Sequence, residues 1–66
     1  MKIRNKLKSF RHDQEMNQVE FAQFLEVAYP TYCNYEKQNR QPSLLAAMQI
    51  ASKLKCTVND IFELES

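Results

Sequence analysis

The chain has 66 residues, of which 44% are hydrophobic and 26% are charged, and its formal net charge is +1. This length is enough for one small domain, and the composition is typical of a globular chain rather than a disordered one. No apolar run approaches the ~18 residues of a membrane span, and no apolar stretch follows the basic first segment as in a signal peptide. Cys33 and Cys56 lack the spacing of a disulfide framework or a zinc site. We therefore expect a single cytoplasmic domain over residues 1–66.

The first predicted element is an amphipathic helix with a basic outer surface. Ile3, Leu7 and Phe10 recur at i, i+4 and i+7, which predicts a helix over about residues 2–12. Five positive charges and no negative ones occur in the first eleven residues, whereas the far end of the chain is acidic. Such a molecule could turn its basic side toward phosphate, but an ordinary solvated helix explains the charges about as well.

Two short helical patterns joined by a tight corner follow over residues 18–37. A capping-box pattern at Asn17 starts the first of them. Ala22 lies on its apolar stripe, and a small side chain there lets a second helix cross steeply and at short distance. Tyr32 and Tyr35, at i and i+3, form the expected buried face of that second helix. Its outer face then carries polar or hydrogen-bonding side chains, namely Tyr29, Thr31, Asn34 and Lys37.

The second half of the chain predicts two more helices. Pro42 blocks helix propagation from upstream, and Ser43 can cap the helix that follows. A buried stripe over about residues 44–55 is predicted from Leu44, Ala47, Met48, Ala51 and Leu54. Thr57 and Asp60 form a second capping box, which opens a short last helix. Its apolar residues exceed what one small core needs and are the predicted dimer contacts: Ile61, Phe62 and Leu64. Five helices and no strands make the predicted fold all-α.

These motifs occur in a defined order and spacing along the chain. They are Ile3-x3-Leu7-x2-Phe10-Arg11, Met16-Asn17-Gln18-x3-Ala22-x2-Leu25, Tyr35-Glu36-x3-Arg40-x-Pro42-Ser43-Leu44, Ile50-Ala51-x2-Leu54 and Asp60-Ile61-Phe62. Together they resemble the phage-repressor (Cro/CI, or xenobiotic-response-element) helix-turn-helix family over residues ~3–62. The resemblance implies a compact five-helix domain, similar to that of lambda repressor, that binds operator DNA, usually as a dimer, and regulates transcription.

The resemblance also implies roles for individual residues. Base edges would be contacted by Tyr29, Pro30, Thr31 and Asn34. Phosphates would be contacted by Arg11, Asn17, Gln18, Lys37, Asn39 and Arg40. Asn34 can make the two hydrogen bonds that identify adenine, and the Thr31 methyl can meet a thymine methyl. Arg11 and Glu36 match a salt bridge between the first and third helices, while Tyr32 and Tyr35 match core positions. For the phosphate set, ordinary helix-start polarity and a solvated loop are the alternatives.

Two departures from the family pattern affect the turns. The chain contains no glycine, and Glu26, Gln38 and Lys55 stand where the family commonly has one. A non-glycine residue at positive φ costs roughly 1 kcal/mol, so either the turns are rearranged or the fold bears that strain. Pro30 disfavours helical geometry at Tyr29, which suggests a helix that starts at Pro30 with Tyr29 as its cap.

The leading functional hypothesis is a small transcriptional regulator, most simply a repressor. It would bind double-stranded DNA sequence-specifically as a homodimer on a near-palindromic operator. One alternative is an antitoxin-type or other partner-binding regulator with the same fold, and another is a protein-interaction module that has lost DNA binding. We expect no enzyme, because no nucleophile–base set is evident and His12 is the only histidine. We also expect no metal, cofactor or small-molecule ligand, and no membrane association.

Overall fold

The computed structural model covers all 66 residues and contains five helices and one small sheet. In chain order the elements are β1 (Lys2–Asn5), α1 (Leu7–Asp13), α2 (Gln18–Leu25), α3 (Tyr29–Glu36), α4 (Leu44–Lys53), α5 (Val58–Ile61) and β2 (Phe62–Glu65). The number of helices is as predicted, but the sheet makes the fold mixed, so the prediction of an all-α fold is wrong. No helix is both long and apolar enough to span a membrane.

The sheet joins the two ends of the chain. β1 and β2 pair antiparallel, with Lys2 opposite Glu65 and Asn5 opposite Phe62. The first helix therefore begins at Leu7, and the residues before it form a strand instead of its first turn. The last helix likewise ends one residue before Phe62. The physical reason is that backbone groups at both ends find partners in each other, which a pattern within one segment cannot reveal.

The core is formed by side chains of all five helices. Its nine buried residues are Leu7, Phe21, Ala22, Leu25, Tyr32, Tyr35, Ile50, Ala51 and Ile61. The rings of Phe21 and Tyr32 meet edge to face, with centroids 5.5 Å apart, an arrangement that aromatic pairs favour. Leu44 and Met48, predicted to be buried, are instead exposed, because α4 turns its Ala47, Ile50 and Ala51 side inward.

The starts of α2, α4 and α5 agree with the sequence predictions. The Asn17 side chain accepts a hydrogen bond from the Glu20 amide at 2.8 Å, and the Glu20 carboxylate accepts one from the Asn17 amide at 2.9 Å. Thr57 and Asp60 make the same reciprocal pair at the start of α5, at 3.2 and 2.9 Å. Both predicted capping boxes are therefore confirmed, and Ser43 caps α4 as predicted.

Four turns contain a non-glycine residue in the left-handed region. Glu26, Gln38 and Lys55 have φ values of 59°, 63° and 56°, and Glu15 adds a fourth at 56°. These include all three positions at which the sequence lacks an expected glycine. Of the two alternatives, the chain keeps the turns and bears the backbone strain. At the corner between α2 and α3, the Val27 amide still donates to the Ala22 carbonyl at 2.9 Å.

Candidate nucleic-acid interface

Helix α3 has one buried and one exposed side, as the sequence predicts. Tyr32 is fully buried and Tyr35 is 5% exposed, and both belong to the same core cluster as Ala22 of α2. On the opposite side, Tyr29 is 45% exposed and Asn34 is also exposed. Of the other two predicted base-contacting residues, Pro30 is exposed and Thr31 is half-buried.

The start of α3 differs from the sequence interpretation. The helix begins at Tyr29, and Ala28 is its cap, so Tyr29 is a helical residue rather than the cap. Pro30 is the second helical residue. Proline is tolerated in the first turn because the amide it lacks would have no partner within the helix. The Tyr29 side chain therefore belongs to the exposed first turn of α3, beside Pro30.

A buried polar cluster fixes α3 against α1 and α2. Arg11 Nε donates to the Glu36 carboxylate at 2.6 Å, and Arg11 Nη1 donates to the Met16 carbonyl at 3.1 Å. Gln18 Nε2 donates to Glu36 at 3.0 Å, and the Tyr32 hydroxyl donates to the same carboxylate. The Arg11 and Glu36 side chains are only 13% and 5% exposed. The ion pair between the first and third helices is thus present as predicted.

Glu36 is held in its charged form by this cluster. Burial alone raises the pKa of its carboxyl, but hydrogen bonds from Arg11, Tyr32 and Gln18 outweigh burial and leave the pKa below its ordinary value. The hydrogen bond between Arg11 and Glu36 in turn raises the pKa of Arg11. Burial, followed by the bond to Glu36, raises the pKa of Tyr32 well above its ordinary range. The negative charge of Glu36 is therefore neutralised inside the protein and does not face outward unpaired.

The six predicted phosphate-contacting residues fall into two groups. Arg11 and Gln18 use donor groups inside the cluster, where they position α3. The other four are exposed at the start of α2 or after α3: Asn17, Lys37, Asn39 and Arg40. The first amides of a helix have no acceptor within it. In α2 the Asn17 side chain accepts from the third amide, that of Glu20, which leaves the amides of Gln18 and Val19 without an acceptor in the helix.

The basic first residues do not form a separate positive pole. Arg4 lies 4.0 Å from Glu65 and Lys6 lies 3.8 Å from Glu63, because the sheet brings the acidic end beside the basic one. The sequence interpretation of a molecule with opposite charged ends is therefore wrong. Those two basic residues pair with acidic residues of the same chain.

A cluster of carboxamides, which sequence reasoning missed, also holds the carboxyl end of α3. Asn5, the only buried polar residue, donates to the Tyr35 carbonyl at 2.9 Å and to Gln41 Oε1 at 2.8 Å. The Gln38 side chain accepts from the Asn5 amide at 3.1 Å and donates to the Asn5 carbonyl at 3.0 Å. These bonds join residues thirty or more positions apart in the sequence, and no local spacing signals them. They set the path of the loop that carries Asn39 and Arg40.

Comparison of the chain with models of known protein families and with curated proteins finds no match. The candidate site therefore stands on the side chains of α2, α3 and the following loop.

Proposed function

We propose that this protein is a sequence-specific DNA-binding regulator, most simply a repressor, of the phage-repressor-like helix-turn-helix type. The observation that carries the proposal is α3 itself. Its inner tyrosines are buried, its outer side is exposed and polar, and its carboxyl end is tied to the rest of the chain by hydrogen bonds to Glu36 and Tyr35. A rigidly held helix with a free polar side fits the major groove, which is wide enough to admit one helix.

Base recognition is assigned to the exposed side of α3. Asn34 has its carboxamide free of bonds within the chain and can pair with both N6 and N7 of adenine. Tyr29 and Thr31 lie one turn earlier on the helix, within reach of neighbouring bases. The Thr31 methyl suits a thymine methyl, and the Tyr29 hydroxyl can donate to a base or a phosphate.

Backbone contacts are assigned to the residues on either side of α3. Lys37, Asn39 and Arg40 are exposed at its carboxyl end and can neutralise or hydrogen-bond phosphates. At the start of α2, the free amides and Asn17 offer further donors to an anionic oxygen. These groups fix the orientation of α3 without reading sequence.

Two copies are part of the proposal because of the size of the molecule. The longest dimension of the chain is 31 Å, and one chain carries one α3. Equivalent major-groove half-sites lie about 34 Å apart along DNA. A near-palindromic operator with two half-sites therefore requires two chains, one for each half-site.

The test starts with selection of bound sites from a random duplex pool, followed by affinity measurements on the selected site and on random duplex. Asn34→Ala should weaken binding to the selected site by about 1–3 kcal/mol and relax the preference at one base position. Lys37→Ala should weaken binding to all duplexes alike and flatten the salt dependence. The matched controls are Gln49→Ala and Lys55→Ala, at exposed positions outside α3, which should leave affinity unchanged. If the protein shows no salt-dependent affinity for any duplex, or if Asn34→Ala acts equally on all sequences, the proposal is wrong.

A further inference from the structure

An apolar groove lies between the sheet and helices α4 and α5. Three of its residues are strongly exposed for their type, with Ile3 at 50%, Leu44 at 74% and Leu64 at 68%. The groove is lined mainly by Ile3, Pro42, Leu44, Val58, Phe62 and Leu64. On the surface of α4, Met48 lies one turn beyond Leu44 and is also exposed.

The groove exists because the inner face of the sheet extends past the core. Side chains two residues apart on a strand share a face, so Ile3 shares a face with Asn5, and Leu64 with Phe62. Asn5 is buried and Phe62 packs against the core, whereas the cross-strand pair Ile3 and Leu64 continues the same face outward. A single chain leaves this apolar pair without anything to cover it.

We propose that this groove binds the same groove of a second copy of the chain, face to face across a two-fold axis. The inference rests on the proposed function, because it identifies the surface that forms the dimer. It also corrects the predicted dimer contacts. Ile61 is fully buried in its own chain, and Phe62 is half-buried, which leaves Leu64 of the three as a strongly exposed contact. The added contacts come from β1 and α4.

The size of the apolar surface fits a second copy. Covering a Leu, Ile or Met side chain removes on the order of 100 Å² from water, at about 25 cal/mol per Å². The four exposed aliphatic residues of this region, which are more than half exposed on average, therefore offer roughly 250 Å²: Ile3, Leu44, Met48 and Leu64. A stable interface buries about 800 Å² per partner, a little over half of it apolar. The exposed aliphatic surface therefore supplies about half of the apolar part of such an interface.

The edges of the sheet are poorly suited to pairing with a second copy, and this favours the groove as the contact surface. The Gln38 carboxamide already pairs with both backbone groups of Asn5, so an added strand could not continue along β1 past that residue. Antiparallel pairing of two β1 strands would bring Lys2 and Arg4 together with their copies. Pairing of two β2 strands would do the same for Glu63 and Glu65. Like charges opposed in this way are destabilising.

The groove and the proposed DNA interface share no residue. All groove residues belong to the sheet, to α4 and α5, or to the loop before α4. Packing two copies through the groove therefore covers none of the residues assigned to base or phosphate contact.

The experiment measures association without DNA, so that it stands apart from DNA binding. Sedimentation equilibrium of the full chain at micromolar to submillimolar concentration should give a concentration-dependent dimer. Leu64→Glu and Leu44→Glu should each raise the dimer Kd by about tenfold or more, because each substitution places a charge in the apolar centre twice. Val19→Glu is the matched control: Val19 is 48% exposed on α2, outside the groove, and its substitution should leave the dimer Kd unchanged. Circular dichroism checks that all three variants are folded.

Chemical-shift changes on dilution of the wild-type chain give a second measurement that needs no substitution. Signals of Ile3, Leu44 and Leu64 should move with concentration, whereas that of Val19 should not. The inference is overturned if the wild-type chain stays monomeric throughout, or if the dimer forms equally well with Leu64→Glu and Leu44→Glu. A dimer lost in these variants supports it even when no duplex is bound, in which case only the proposed function falls. Equally, specific DNA binding by a chain that is monomeric in the absence of DNA leaves the proposed function standing and removes this inference.

Discussion

Glycine substitutions at the strained turns should have opposite effects that depend on the side chain each removes. Glu26, Gln38 and Lys55 have nearly the same left-handed backbone, with φ between 56° and 63°. Glycine relieves the strain of that conformation, which raises the free energy of unfolding by about 1–2 kcal/mol. The extra freedom of glycine in the unfolded chain lowers the free energy of unfolding by about 0.5–1 kcal/mol. The backbone effect alone is therefore a stabilisation of about 0.5–1 kcal/mol at each position.

Side-chain contacts then separate the three positions. The Lys55 side chain makes no hydrogen bond or ion pair, so Lys55→Gly should show the whole gain, a rise in Tm of roughly 2–8 °C for a domain of this size. Glu26 pairs with Lys53 at 3.1 Å, but the Glu26 side chain is 78% exposed. Loss of such a surface pair costs about 0.2–1 kcal/mol, which leaves Glu26→Gly close to neutral.

Gln38→Gly should be destabilising despite the same relief of strain. The Gln38 carboxamide accepts from the Asn5 amide and from Gln41, and it donates to the Asn5 carbonyl. Three bonds at about 0.5–1.5 kcal/mol each exceed the backbone gain, so the net loss is about 1–3 kcal/mol. The order of stability is then Lys55→Gly above wild type, Glu26→Gly near it, and Gln38→Gly below it.

Thermal and urea unfolding followed by circular dichroism measure this order. All proteins are compared at one concentration, since association would make Tm depend on concentration. Ser52→Gly, inside the right-handed helix α4, is the control and should lose about 0.5–1 kcal/mol. A Lys55→Gly protein no more stable than wild type, or a Gln38→Gly protein more stable than wild type, would refute the reasoning.

Two further predictions concern the packing of α3. Because the folded pKa of Glu36 lies below its ordinary value of 4.5, its charge stabilises the fold above about pH 4.5, and that stabilisation is lost as the pH falls through the lower, folded pKa. The acid-induced fall in Tm should be smaller in Glu36→Gln than in wild type, and an equal fall in both would contradict the assignment. Ala22→Leu should cost about 1–3 kcal/mol in urea unfolding, because it overfills the contact between α2 and α3. Gln23→Leu, on the exposed side of the same helix, should stay within about 0.5 kcal/mol of wild type, and equal effects of the two changes would argue against a close contact at Ala22.

Much of the fold follows from local signals that the sequence carries in full. Asn17 and Thr57 each have their capping partner three residues later, and both helices start where those pairs predict. Ala22, Tyr32 and Tyr35 are buried as their spacing predicts. Such features depend on neighbours within one turn of helix, so the chain itself displays them.

The sheet could not be predicted in the same way. Ile3, Leu7 and Phe10 fit a helical period, and a four-residue strand is too short to contradict it by alternation. What decides the conformation of residues 2–5 is pairing with residues 62–65 at the opposite end of the sequence. The predicted burial of Leu44 and Met48 is wrong for a related reason. A four-residue spacing shows that two side chains share one side of a helix, but it does not show whether another element covers that side.

The candidate site shows the same division. The exposed side of α3 follows from the positions of its tyrosines, and the Arg11–Glu36 ion pair follows from the family resemblance. The carboxamide contacts that also hold the helix could not be predicted. The Asn5 carboxamide reaches α3 across thirty residues of sequence, and only the folded chain brings them together. A buried polar side chain that hydrogen-bonds a distant segment of the chain has no periodic signature in the sequence.

The pairing of the two ends has a consequence for the order in which the molecule forms and opens. Bringing segments sixty positions apart into register requires closing nearly the whole chain as one loop, and the entropy of that closure favours helices first and the sheet last. The amides of Lys2 and Arg4 should accordingly exchange with solvent deuterium through openings that leave the helices intact. Because Ile3 and Leu64 lie on that sheet, a second copy bound there would slow this exchange, and assembly would complete the last step of folding.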